Sequence, residues 1–261
     1  MRWVRLRTGT AETPIAPAAA APAAIALARS DCGALWIELM GEPVALRPSG
    51  GLWIERAGAF VAGDLHLGKG SSYARGGQLL PPYDTIATLD RLEAEVRALK
   101  PRLLILLGDS FHDPQALDRL HPEDANRLRG LAMGRRLVWA EGNHDTRRGV
   151  SALGVLPGEV ADEVVLGPLT LRHEPGPGAQ PGEVSGHLHP CAKLVAAGRG
   201  VRRRAFATDG RRLILPAFGA YAGGLNVCDP AFKGLFEAPP LAGALGDGRV
   251  HPLPFSALCG D

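Results

Sequence analysis

What this chain of 261 residues lacks already narrows what it can be. It has only four cysteines, Cys32, Cys191, Cys228 and Cys259, widely and irregularly spaced, with no C-x-x-C pair. A disulfide-stapled scaffold is shorter and denser in cysteine, so these read as reduced thiols of a cytoplasmic protein. No run approaches the roughly 20 apolar residues of a membrane-spanning helix. Arg2, Arg5 and Arg7 precede an Ala-rich stretch, but Glu12, Pro14, Pro17 and Pro22 interrupt it. A signal-peptide core is an unbroken apolar run of about 7–15 residues, so none is expected here. Aromatic residues make up 5 %, too few for an evident stacking platform for single-stranded nucleic acid. The net charge is only +2, so no overall field announces a polyanionic partner. The hydrophobic fraction of 46 % nevertheless excludes disorder throughout, and the length provides ample surface to bury.

Residues 11–28 are almost entirely Ala and Pro. Proline breaks each turn that alanine would favour, and the run buries too little to offset its ordering entropy. Residues 1–33 are therefore expected to be a flexible extension and 34–261 a single folded domain. Leu35, Ile37 and Leu39 alternate as in a strand. The spacing then predicts βαβα followed by mostly β: strands at 59–62, 103–107 and 136–139, and helices at 84–100 and about 122–133. Ile86, Leu89, Leu92, Val96 and Leu99 mark the first helix's apolar face. Beyond Val160 short strands are punctuated by Pro and Gly.

What the chain does have is histidine in particular places. Six of its eight histidines fall in five clusters: Gly63-Asp64-Leu65-His66, Gly108-Asp109-Ser110-Phe111-His112-Asp113, Gly142-Asn143-His144-Asp145, the lone His173, and Gly186-His187-Leu188-His189. The first three end apolar strands, where the open loops of α/β sheets gather ligand sites. On extended backbone, Asp-x-His and His-x-His put both side chains on one side. Imidazole, carboxylate and one amide oxygen, without thiolate, suit Mn, Fe or Zn. Two such ions sharing a carboxylate can displace phosphoryl esters. His121 and His251 lie outside every cluster and read as structural or exposed.

In that order, these five blocks resemble the signature of calcineurin-like metallophosphoesterases. Gly63–Gly70, Gly108–Asp113 and Leu215–Gly224 are similar to the bacterial ligase-associated DNA damage response members. The resemblance implies a four-layer α/β/β/α sandwich holding two divalent metal ions, manganese first. It implies that Asp64, His66, Asp109 and His189 hold one ion and that Asp109, Asn143, His173 and His187 hold the other. A bridging hydroxide would attack a phosphodiester, with His144 donating to the leaving oxygen. The implied setting is DNA repair, with an ATP-dependent DNA ligase and a helicase as partners and no membrane.

One departure stands out. Many members carry Gly-Asp-x-x-Asp, whose second carboxylate orients the Asn-His histidine. Here His112 occupies that position and the carboxylate follows at Asp113. What orients His144 is therefore open, and His112 is a second catalytic candidate that could contact the scissile phosphate. Lys69 and Arg75 could bind substrate phosphate or be solvated. The run Lys193, Arg199, Arg202, Arg203, Arg204, Arg211 and Arg212 could grip a nucleic-acid backbone or form a solvated hairpin. Two alternatives also stay open: a phosphodiesterase or phosphatase for small nucleotides, and a non-catalytic metal-binding adaptor.

Overall fold

The computed structural model of the protein describes residues 4–7, 25–75, 77, 83–113, 115–142, 156–196 and 198–261. Three apolar runs become β6 (Ala59–Gly63), β7 (Leu103–Leu107) and β8 (Arg136–Ala140). They lie side by side and parallel, with Gly63 opposite Leu107 and Leu107 opposite Ala140. The register brings all three C-terminal ends to one level, so the residues that follow share one rim. On the N-terminal side, β5 (Leu52–Ile54), β4 (Glu42–Leu46) and β3 (Leu35–Leu39) continue the sheet antiparallel, and β9 (Glu159–Ala161) extends it beyond β8.

A second sheet contains β10 (Glu163–Leu166), β11 (Leu169–Arg172), β12 (Glu183–Ser185), β14 (Arg199–Thr208), β15 (Leu213–Ile214), β16 (Leu241–Gly246) and β17 (Arg249–Leu253). The strand β13 (Cys191–Ala196) pairs with the first half of β14. Within this sheet β11, β12 and β15 run parallel to one another. The main core lies between the two sheets: Leu46, Val61, Ile105 and Val138 of the first pack with Leu171, Val184, Phe206 and Leu213 of the second.

The helices cover the outer face of the first sheet. These are α1 (Lys69–Arg75), α2 (Asp84–Leu99) and α3 (Pro122–Gly130). Leu89, Leu92 and Val96 of α2 and Leu128 of α3 bury against Phe60, Leu104, Leu106 and Trp139. Ile86, expected on the buried stripe, is exposed, because the packed face centres on Leu89 and Leu92 and takes in Thr85 and Thr88 instead. On the outer face of the second sheet, Val227, Phe232 and Leu258, from coil and 3-10 turns, cover Ala207 and Ile214. The result is a mixed α/β fold with two large sheets and few helices.

Val4–Arg7 forms β1 against β10, and Leu27–Arg29 forms β2 against β3. Both add to sheet edges, where backbone hydrogen bonding to a preformed strand needs no long apolar run. Composition alone cannot reveal such additions. Among the described residues no helix is long and apolar enough to cross a membrane.

Candidate metal centre

The rim of the two sheets is where the clustered ligand types meet. Asp64 follows β6, Asp109 follows β7 after Gly108, His173 follows β11, and His187 and His189 follow β12 after Gly186. They gather into two groups, Asp64 with His66 and His189, and Asp109 with His173 and His187. Within each group the donor atoms lie within 4.8 Å of one another. Asn143 and His144 lie outside the described residues.

The groups face each other closely. His189 Nε2 is 3.1 Å from Asp64 Oδ1 and 3.3 Å from His66 Nε2. In the other group His187 Nδ1 is 3.2 Å from His173 Nε2, which lies 3.5 Å from Asp109 Oδ1. Asp109 also looks toward the first group, with Oδ2 3.9 Å from His66 Nε2. Donors each about 2.0–2.2 Å from a shared ion stand roughly 3–4 Å apart, so these separations suit shared coordination. Imidazole nitrogens turned toward one another direct lone pairs into one space, which a proton or a cation must fill.

The backbone is strained where it serves this purpose. Asp64, His66, Asp109, His187 and His189 have φ between 43° and 65°. Each non-glycine residue in that region costs on the order of 1 kcal/mol and persists only if its surroundings impose it. Three glycines show how tightly the ligands pack. A Cβ on Gly108 would meet the His173 ring, one on Gly142 the Asp109 amide and carboxylate, and one on Gly186 the Asp64 carboxylate.

Electrostatics follow from burial. Asp64 is 0 % exposed and Asp109 3 %. Burial pushes the Asp64 carboxyl up, but the His189 hydrogen bond and the surrounding imidazoles overcome it and hold it below the usual carboxylate range. Burial lowers His189 too, and its bond and attraction to Asp64 reverse that, leaving the ring raised. His187 is lowered by burial and by neighbouring His173. The Asp64 carboxylate also accepts the His187 amide at 3.1–3.2 Å. His173 Nδ1 lies 3.4 Å from the Leu107 carbonyl. With the proton on Nδ1, its Nε2 lone pair points into the group, the second-shell pattern of metal-binding histidines. A buried, strained set of carboxylates and imidazoles with converging lone pairs fits two divalent ions.

His112 stands at the edge of this set, its ring centroid 6.0 Å from that of His66. The Tyr73 ring stacks against it at 6.0 Å and 19°. Tyr73 carried no sequence signal; the short helix α1 brings it there. Asp113 accepts Arg119 Nη1 at 2.9 Å and Nη2 at 2.5 Å, so its carboxylate fastens this loop. Lys69 approaches the Tyr73 ring, and burial lowers its ammonium against the pull of Asp84. Arg75 is exposed. The two outlying histidines match expectation: His121 N-caps α3, and His251 is exposed.

The basic run divides. Arg212 is buried, pairs with Glu183 and donates to the carbonyls of Gly176, Gly178 and Leu235. Arg211 pairs with Glu237, and Arg202 with Asp261. Arg204 turns inward onto the loop at Ala217. Arg199 and Arg203 are exposed on the β13–β14 hairpin, whose turn falls near Gly198.

Comparison with solved structures meets this geometry. The Pseudomonas putida nuclease MPE is 28 % identical, with a TM-score of 0.64, over 84 % of this chain and 100 % of that one. The chain is similar to a nuclease. The metallophosphoesterase resemblance read from the ligand blocks is thereby matched in three dimensions. The Escherichia coli phosphoesterase YfcE aligns at 18 % identity over 76 % of this chain and 98 % of that one, with a TM-score of 0.38. No family model matches the sequence, and no curated protein matches it at significance.

Proposed function

We propose that the chain is a dinuclear metal-dependent phosphoesterase that hydrolyses phosphodiester bonds, with DNA as substrate. The observation that carries this is the pair of donor groups facing each other across Asp109. In this scheme Asp64, His66, Asp109 and His189 hold one ion, and Asp109, Asn143, His173 and His187 the other. Manganese is the first choice on the sequence resemblance, and a nitrogen and oxygen donor set without thiolate suits it alongside iron or zinc. When bound, two such ions supply water activated at neutral pH and positive charge against the transition state.

The chain's own residues do the rest. The Asp109 carboxylate, 3.5 Å from His173 on one oxygen and 3.9 Å from His66 on the other, joins the two halves of the site. The Leu107 carbonyl and the His187 amide orient His173 and Asp64. His144 gives a proton or hydrogen bond to the leaving alkoxide. His112, beside Tyr73 and His66, contacts the scissile phosphate. The four-layer α/β/β/α arrangement belongs to this proposal, supported by the two sheets and by the helical layer on one of them. So do a cytoplasmic setting, supported by four free thiols, and a repair context with ligase and helicase partners, supported by the sequence resemblance alone.

The test is a substrate panel on the manganese-loaded protein: bis-p-nitrophenyl phosphate, p-nitrophenyl phosphate and plasmid DNA, each with and without chelator. Chelator-sensitive turnover of the diester and of DNA is expected. Turnover of the monoester alone would overturn the nuclease assignment, and binding of DNA without turnover under several metals would point to an adaptor.

A further inference from the structure

Arg91 of α2 and Arg204 of β14 reach the same short loop beside the metal centre. Arg91 Nη1 donates to the Phe218 carbonyl at 2.8 Å, and its guanidinium carbon lies 5.3 Å from the Phe218 ring centroid. Arg204 Nη1 donates to the Ala217 carbonyl at 2.9 Å, with those of Phe218 and Gly219 at 3.4 Å. That loop rests on the first ligand turn, since the Phe218 and Gly219 amides donate to the Gly63 and Asp64 carbonyls.

Several partly buried arginines face carboxylates, Arg47 on Glu95, Arg119 on Asp113 and Arg127 on Glu93, whereas Arg135 rests on the Leu131 carbonyl. Among the described residues Arg91 and Arg204 have no such partner. Two neighbouring guanidinium ions without a counter-ion are costly to bury. Burial and the nearby Arg204 together pull the Arg91 guanidinium down to about 10. Both side chains stay partly open to solvent, and each has N–H donors beyond the one that holds the loop. A guanidinium fork matches phosphate oxygens two at a time.

We propose that Arg91 and Arg204 form a subsite for a second phosphate of a DNA strand, beside the metal centre that cleaves the first. The proposal rests on the phosphodiesterase function proposed above and deepens it, because it selects a chain of phosphates over a small diester. A small diester bound at the metals presents no second phosphate to the pair.

The test compares wild type with R91Q and R204Q, which remove the charge and keep a polar side chain that ends two bonds short of Nη1. Cleavage of a single-stranded oligonucleotide is expected to lose about tenfold in kcat/KM for each substitution. The log–log salt dependence should flatten by roughly one charge per arginine. Turnover of bis-p-nitrophenyl phosphate should stay within about threefold, since the charge removed lies outside the reacting phosphate. An equal fall on both substrates, or loss of bound manganese, would show that the pair only supports the loop and would overturn the subsite. Unchanged oligonucleotide kinetics would overturn it equally. A wild type that turns over neither substrate would instead overturn the functional proposal beneath it.

Discussion

Asp109→Asn is expected to cost both donor groups their ion and to lower diester turnover about a thousandfold or more. The magnitude follows from what is removed: metal assistance is worth several kcal/mol of transition-state stabilisation, and each 1.4 kcal/mol is about tenfold in rate. The reason both ions go lies in the geometry. Asp109 is grouped with His173 and His187, yet its second oxygen is turned toward His66 of the other group. The His173 ring also lies between the groups, its Nδ1 3.6 Å from Asp64 Oδ1, but a carboxylate can give an anionic oxygen to each ion. An amide keeps the shape but offers one weak oxygen and an N–H group in place of a charged, two-sided ligand. The fold should survive, because the two-sheet core contains none of the ligands. The check is elemental analysis of purified protein beside its thermal transition in chelator. Retention of metal and of activity would show that Asp109 does not bridge.

The second large effect belongs to a residue with no functional group. Gly186→Ala should weaken metal binding and reduce turnover at least about a hundredfold, while costing only about 1–3 kcal/mol of stability, the usual penalty of overpacking. The new methyl would fall on the Asp64 carboxylate, which is fully buried and fixed by the His187 amide and by His189. The carboxylate can yield only by leaving its place among the donors. Gly130→Ala is the control: it sits at the end of α3 with open space at its Cβ position, and should leave activity unchanged and gain up to about 1 kcal/mol from helix propensity. Wild-type activity in Gly186→Ala would mean that Asp64 can shift freely and is not held for a metal.

Gly186 also marks the border of what the sequence made legible. Glycine before each ligand pair reads as freedom for a sharp turn, and for Gly108, with φ of 76°, that is part of the reason. For Gly142 and Gly186 the reason is different: another cluster's ligand occupies the space where a side chain would be. That proximity joins β6 to β12 and β7 to β8, and no local pattern encodes it. The gathering of Asp64, His66, Asp109, His173, His187 and His189 was legible because their clusters fall at strand ends, and the parallel register of β6 and β7 helps convert that order into proximity. Tyr73 and Arg91 were not legible. Each looks like an ordinary helix residue until α1 is laid over His112 and α2 over the Phe218 loop. The pairing of Val4–Arg7 and Leu27–Arg29 was hidden for the same reason: edge strands are specified by the partner's free backbone more than by their own side chains. Within the basic run, only tertiary contacts separate Arg212, buried on Glu183, from exposed Arg203 next to the half-buried Arg204.

The most direct measurement is the divalent metal content of the purified protein, read per chain by elemental analysis after manganese loading and removal of loosely held ions. Two ions per chain are predicted, falling to fewer than one in Asp109→Asn, with diester turnover tracking occupancy. One ion per chain with full activity, or turnover indifferent to chelator, would contradict a site built by Asp64, His66 and His189 facing Asp109, His173 and His187.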